Sequence, residues 1–144
     1  DTEHRDNMQR CFEALLHERI LPVVNENDTT AVTELMFTDN DELTALVAIL
    51  MRVDQVIMLT TVHGVLDDDG TVISHIDQHT IAKVSQSISS NTSGSGRGGM
   101  KSKLRAAEQI LEAGIPTTIA HAQTHHVIYD AAHRRPVGTQ ISRA

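Results

Sequence analysis

Short β-branched runs alternate along this chain with stretches whose apolar residues recur every third or fourth position. Ile20 to Val24, Gln55 to Thr60 and Pro116 to Ala120 carry apolar or β-branched side chains at nearly every position. Strands of that kind need cover on both faces, which is the condition inside a parallel or mixed sheet flanked by helices. The helical periodicity lies between them: Met8, Cys11, Phe12, Leu15 and Leu16 within Met8 to Arg19, then Leu43 to Val53, then Ile81, Val84 and Ile88, then Leu104, Ala107, Ile110 and Leu111. An α/β fold follows.

Punctuation residues set the boundaries. Asn25 to Thr30 is a run of turn formers, and Ala31 to Phe37 reads as a short strand or half of a hairpin. Thr38 or Asp39 is the expected N-cap of the following helix. Asp67-Asp68-Asp69-Gly70 reads as a hairpin-type turn before a strand from Thr71 to Ile76, and Asp77 opens the next helix. Ser89 to Gly99, rich in Ser and Gly, is expected to be a loop. Gly114 stops the helix after it, His125 to Ala132 is a short helix, and Val137 to Ile141 is a last extended piece.

Aromatic residues make up only 2% of the 144 residues and Trp is absent, so the core of this one-domain chain must be aliphatic. The net charge of −7 argues against nucleic acid as a partner, since such proteins carry basic patches. A phosphate site is still allowed, because backbone N–H groups and one or two lysines suffice to build it. The single cysteine, Cys11, reads as a small buried hydrophobe in its helix. The longest apolar run, Ala45 to Met51, is too short to cross a bilayer, and no leader pattern is visible. Those features point to a cytoplasmic protein without a membrane partner.

Three polar segments follow strands or open helices, where α/β sheets bind ligands. Asn25-Glu26-Asn27-Asp28 puts four polar side chains directly after an apolar run, offering amides and carboxylates to a substrate; taken alone, an Asx-rich turn explains it slightly better. Asp39-Asn40-Asp41 begins a helix. Capping accounts for one acid, and the pair could hold ammonium groups or a divalent cation. Ser93-Gly94-Ser95-Gly96-Arg97-Gly98-Gly99-Met100-Lys101-Ser102-Lys103 leads straight into a helix. Its lysines stand where the helix dipole disfavours them, which suits a phosphate better than a flexible linker would. The spacing is not that of a Walker A loop. Nine histidines, among them His121, His125 and His126, fit no zinc spacing and read as solvated residues, so no protein-held metal is expected. Met51, Met58 and Met100 read as packing.

In order and spacing, LPVVNENDT, TDNDELTALVAIL, VIMLTTVHGV, SGSGRGGMKSKLRAAEQILEAGIPTTIA and VGT resemble the glutamate 5-kinase branch of the amino-acid kinase family across nearly the whole chain. The resemblance implies a three-layer α/β/α sandwich with a largely parallel sheet, of which residues 1–144 form a partial domain. Substrate loops would occupy residues 25–41 and the nucleotide-binding part residues 55–144. It implies phosphoryl transfer from ATP with Mg²⁺ to the γ-carboxylate of L-glutamate, the first step toward proline, with proline as a feedback inhibitor and a homo-oligomeric assembly. Asp28 and Asn40 match glutamate-binding positions, with Asn25, Asn27 and Asp39 beside them. Asp41 matches the acid that organises the catalytic lysines, and Lys103 the lysine that contacts phosphate. Arg97, Gly98, Gly99, Met100, Lys101 and Ser102 match the rest of the ATP loop, and Thr60 and Thr61 the nucleotide contacts at a strand end.

Thr60-Thr61 stands where relatives usually carry Thr-Asp, and the family's N-terminal lysine strand, glycine-rich loop and further glutamate-binding serine have no counterpart in these residues. A chain so composed is expected to be weak or inactive alone. Two other readings stay open: a non-catalytic module binding glutamate, proline or nucleotide, and another amino-acid kinase acting on uridylate or acetylglutamate.

Overall fold

A computed structural model describes residues 2–25, 39–90 and 97–144. Its elements run α1 (Thr2–His17), α2 (Asn40–Met51), β1 (Val56–Thr60), β2 (His75–Ile76), α3 (Ile81–Ser90), α4 (Arg97–Glu112), β3 (Thr117–His121), α5 (Val127–Ala132) and β4 (Thr139–Ile141). The strands form one sheet in the order β1-β3-β4-β2. β1 pairs with β3 in parallel, from Val56 opposite Thr117 to Thr60 opposite His121, and β2 pairs in parallel with β4. β3 and β4 are antiparallel, so the sheet is mixed, with two of its three pairings parallel.

The apolar runs explain the layers. Thr117, Thr118, Ile119 and Ala120 of β3 are all buried, as a strand covered on both faces requires. On one face Val56, Met58, Ile119 and Ile141 join a single aliphatic core with Ala45 and Ala48 of α2, Ile81 of α3, and Leu104, Ala107 and Ile110 of α4. The alanines keep side chains short where α2 and α4 cross, which lets two helices approach closely. α5 packs on β1 and β3, and its buried Val127 and Ala131 lie outside that core, so it covers the opposite face. The three-layer α/β/α architecture expected from the sequence is the one observed.

Local chemistry sets the element ends. Asp67 accepts from the N–H groups of Asp69 and Thr71 at 3.1 and 2.8 Å, closing the predicted turn and bridging Leu66 to Val72. Asp77 accepts from His79 N and Thr80 N at 2.9 and 3.0 Å just before α3. At the far end of α4, Arg143 donates from Nη2 to the Glu112 carbonyl at 2.7 Å, placing a cation at the negative end of the helix dipole.

Four expectations need correction. Ile20 to Val24 is no strand: it is irregular, with Leu21 80% and Val23 91% exposed. β-propensity measures fit to neighbouring strands, and among the described residues no strand lies alongside it. Cys11 is exposed. It sits about 100° around α1 from Phe12, the α1 residue that is buried, so the two cannot face the same way. The expected loop from Ser89 to Gly99 is shorter than its composition suggested, because Ser89 and Ser90 end α3 and Arg97 to Gly99 open α4. The expected strand from Thr71 to Ile76 contracts to the bridge at Val72 and the two residues of β2. The expected strand from Ala31 to Phe37 lies outside the described residues.

Candidate functional site

α2 runs into β1 and α4 into β3 through short turns, and β1 and β3 are parallel. The N-termini of both helices therefore lie at the same edge of the sheet as the carboxyl ends of both strands, the edge where α/β folds bind ligands. That geometry brings two of the three polar segments together.

Asp39 caps α2 from extended backbone, φ −164° and ψ 166°, and its Oδ1 accepts from Asp41 N at 3.0 Å and Glu42 N at 2.9 Å. Its second carboxylate oxygen accepts a short hydrogen bond from the Ser102 hydroxyl on α4. The Ser102 hydroxyl foremost, then the Glu42 amide, holds the Asp39 carboxyl below the usual carboxylate range, against the opposing effect of burial. Two residues on, Asp41 receives Lys103 Nζ on both oxygens, at 2.8 and 3.2 Å, with the side chains about one-fifth exposed, 18% and 19%. Both acids of the α2 opening are thus tied to residues of α4. The lysine that the α4 dipole disfavours is compensated within the chain by Asp41.

Asn40, between the two acids, donates from Nδ2 to Asn25 Oδ1 at 2.9 Å. The two amides stand at one end of a cleft of about 340 Å³ that runs along α2, floored by Leu43, Val47 and Val53 and bordered by Thr44 and Gln55. A polar end on an apolar floor of that size suits a small molecule. Asn27 and Asp28 lie outside the described residues.

The other expected residues distribute along the same edge. Thr60 is the last residue of β1, opposite His121, and Thr61 is exposed just beyond it. Arg97, Gly98, Gly99, Met100 and Lys101 form the first turns of α4. Met100 is buried as packing, while Lys101 and Gly99 are exposed. Among the described residues, a Cβ built on Gly99 would meet nothing within 4 Å. Backbone N–H groups at a helix start and two lysines beside them are what an anion needs. Among the described residues no group of three or more His, Cys, Asp or Glu side chains is placed to hold a metal ion. No helix among them is long and apolar enough to cross a membrane.

Sequence reasoning missed three features. The Ser102–Asp39 bond joins two segments 63 positions apart. Thr139 of the VGT motif is fully buried and accepts from Val65 N at 2.8 Å, anchoring the loop after β1. His63 and His121 stack at that loop's exposed side. The VGT motif signalled the second of these without showing its target.

Residues 1–121 match the profile described as the amino acid kinase family. The chain belongs to that family. It is 44% identical over 144 residues to glutamate 5-kinase of Chlorobaculum tepidum, covering 98% of this chain and 40% of that protein. It is 38% identical over 140 residues to glutamate 5-kinase of Clostridium acetobutylicum, covering 92% of this chain and 52% of that protein. The chain thus spans about half or less of the relatives it matches. In fold it resembles carbamate kinase of Giardia lamblia bound to citric acid, with a TM-score of 0.60 at 24% identity over 74% of this chain and 31% of that one. N-acetylglutamate synthase of Neisseria gonorrhoeae, complexed with coenzyme A and L-arginine, is similar at a TM-score of 0.60 and 18% identity over 74% of this chain and 24% of that one.

Proposed function

We propose that this chain carries the nucleotide-binding and part of the substrate-binding machinery of a glutamate 5-kinase-type phosphotransferase, which forms glutamyl 5-phosphate on the route to proline. The observation that carries this reading is the junction of the two helix N-termini, Lys103 on Asp41 and Ser102 on Asp39, directly beside the Asn25–Asn40 amide pair. ATP with Mg²⁺ would supply the transferable phosphoryl group. The residues present suit the phosphates through the α4 N-terminus, Lys101 and Lys103; with no three-ligand group among the described residues, the cation would arrive on the phosphates.

The chain's own residues then have defined tasks. A carboxylate acceptor is already ionised, so no general base is required, and the barrier lies in anion–anion repulsion and in charge on the transferring group. Lys103 supplies a positive charge at that point, and Asp41 holds its ammonium in place. Asn25 and Asn40, with Asn27, Asp28 and Asp39 nearby in sequence, orient the amino acid. Thr60, Thr61 and the turns from Arg97 to Ser102 hold the nucleotide. Binding of proline at the glutamate pocket, homo-oligomeric assembly and a cytoplasmic setting belong to the same proposal.

The test is an ADP-release assay on the complete native protein with Mg-ATP and L-glutamate. Lys103→Met is expected to lower kcat by about 10²- to 10³-fold, the scale of removing one transition-state donor. Glutamate-independent ADP release, or unchanged turnover in a folded Lys103→Met protein, would sink the proposal.

A further inference from the structure

The loop leaving β1 and the turn leaving β3 meet through two imidazoles that the phosphate and amino-acid sites leave unused. His63 and His121 stack with ring centroids 4.8 Å apart and planes 22° from parallel. The ladder explains the meeting. Thr60 stands opposite His121, and Ala122 donates its N–H to the Thr60 carbonyl at 2.8 Å, so β1 and β3 stay paired to their ends.

The loop is anchored independently of these rings. Val65 N donates to buried Thr139 Oγ1 at 2.8 Å, and a Cβ on Gly64 would come within 2.7 Å of that oxygen, so only glycine lets the backbone approach. Because Gly64 and Thr139 already fix the loop, the imidazole pair is not needed to hold it. His121 is held as well, its Nδ1 accepting from Gln123 N at 3.0 Å, which leaves the proton of the neutral ring on Nε2. The result is a pre-set π face on exposed His63, backed by the stacked His121 ring, in a chain that has few aromatic residues. It stands beyond the carboxyl ends of two parallel strands, at the same edge as the N-termini of α2 and α4. Flat π faces bind bases with little regard to hydrogen-bonding edges.

We propose that the His63–His121 pair is the platform on which the nucleobase of the bound nucleotide stacks, so that these two residues set nucleotide affinity while Lys103 and the α4 N-terminus take the phosphates. This rests on the phosphate reading of α4 given above. The experiment separates base from phosphate by calorimetric titration of the complete native protein with Mg-ATP and with Mg-tripolyphosphate, which has no base. His63→Ala and His121→Ala are each expected to weaken ATP by about tenfold, the scale of one base–aromatic stack. Tripolyphosphate affinity should stay unchanged, and His63→Phe should restore ATP binding. Unchanged ATP affinity in both alanine variants overturns the platform, as does a parallel loss of ATP and tripolyphosphate. If the unsubstituted protein binds neither ligand, the phosphate reading fails and the platform with it; if it binds both equally, only the platform fails.

Discussion

Replacing Asp39 tests how the two helix N-termini are joined. Its carboxylate serves three donors at once: the amides of Asp41 and Glu42 at 3.0 and 2.9 Å, and the Ser102 hydroxyl of α4. Losing an N-cap costs about 1 kcal/mol, and a hydrogen bond to a charged group is worth about 1.5–3 kcal/mol. Asp39→Ala should therefore destabilise the protein by about 2–4 kcal/mol. Asp39→Asn keeps an oxygen for the cap amides and loses only the charge, so about 1 kcal/mol is expected. Ser102→Ala alone removes the bond between helices. Combined with Asp39→Ala it should add little, because the shared interaction has already gone, giving a coupling of about 1.5–3 kcal/mol in a double-mutant cycle. Urea unfolding measures the native protein and the four variants. The pH dependence supplies a second check. The folded Asp39 pKa lies below its unfolded value, so its stabilisation is complete above the ordinary aspartate pKa of about 3.9 and is lost as pH falls through the folded pKa. The stability gap between the native protein and Asp39→Asn should thus narrow below about pH 4. Equal destabilisation by Asn and Ala, or full additivity with Ser102→Ala, would refute the reasoning.

Further outcomes follow from buried groups. Among the described residues Thr117 Oγ1 is buried without a hydrogen-bond partner, between Val56 and Ile141 in the sheet register. Thr117→Val should raise stability by about 1 kcal/mol and the melting temperature by about 3 °C, read by thermal denaturation; a lower melting temperature would show that the hydroxyl has a partner after all. Gly138 sits at φ +60° where a Cβ would meet the Ile119 carbonyl at 2.1 Å. Gly138→Ala should cost about 3 kcal/mol or more, and an unchanged urea midpoint would count against that close approach.

The core was legible before any coordinates. Leu104, Ala107, Ile110 and Leu111 recur at helical spacing and form the buried stripe of α4, and the β-branched and apolar run from Thr117 to Ala120 is covered on both faces. A cap at Thr38 or Asp39 was legible too, since a short polar side chain before an apolar helix has a local partner in its own backbone, and the structure gives that role to Asp39. Ile20 to Val24 misled for the opposite reason: a strand exists only when another strand supplies its hydrogen bonds, and a string of apolar residues does not say whether one is there. Periodicity likewise placed Cys11 in a helix without saying which side of that helix would be covered.

The sequence by itself determined where the main helices and the strands of β1 and β3 lie, that the core is aliphatic, and that acids, amides and lysines gather at element starts, because these depend on neighbours a few residues away. Only the tertiary structure decided that Ser102 meets Asp39, that Lys103 meets Asp41, that Thr139 anchors the loop after β1, and that His63 lies on His121. Each of those contacts joins residues more than fifty positions apart. Their distance is set by the sheet order and by the parallel pairing of β1 with β3, quantities that no local pattern encodes.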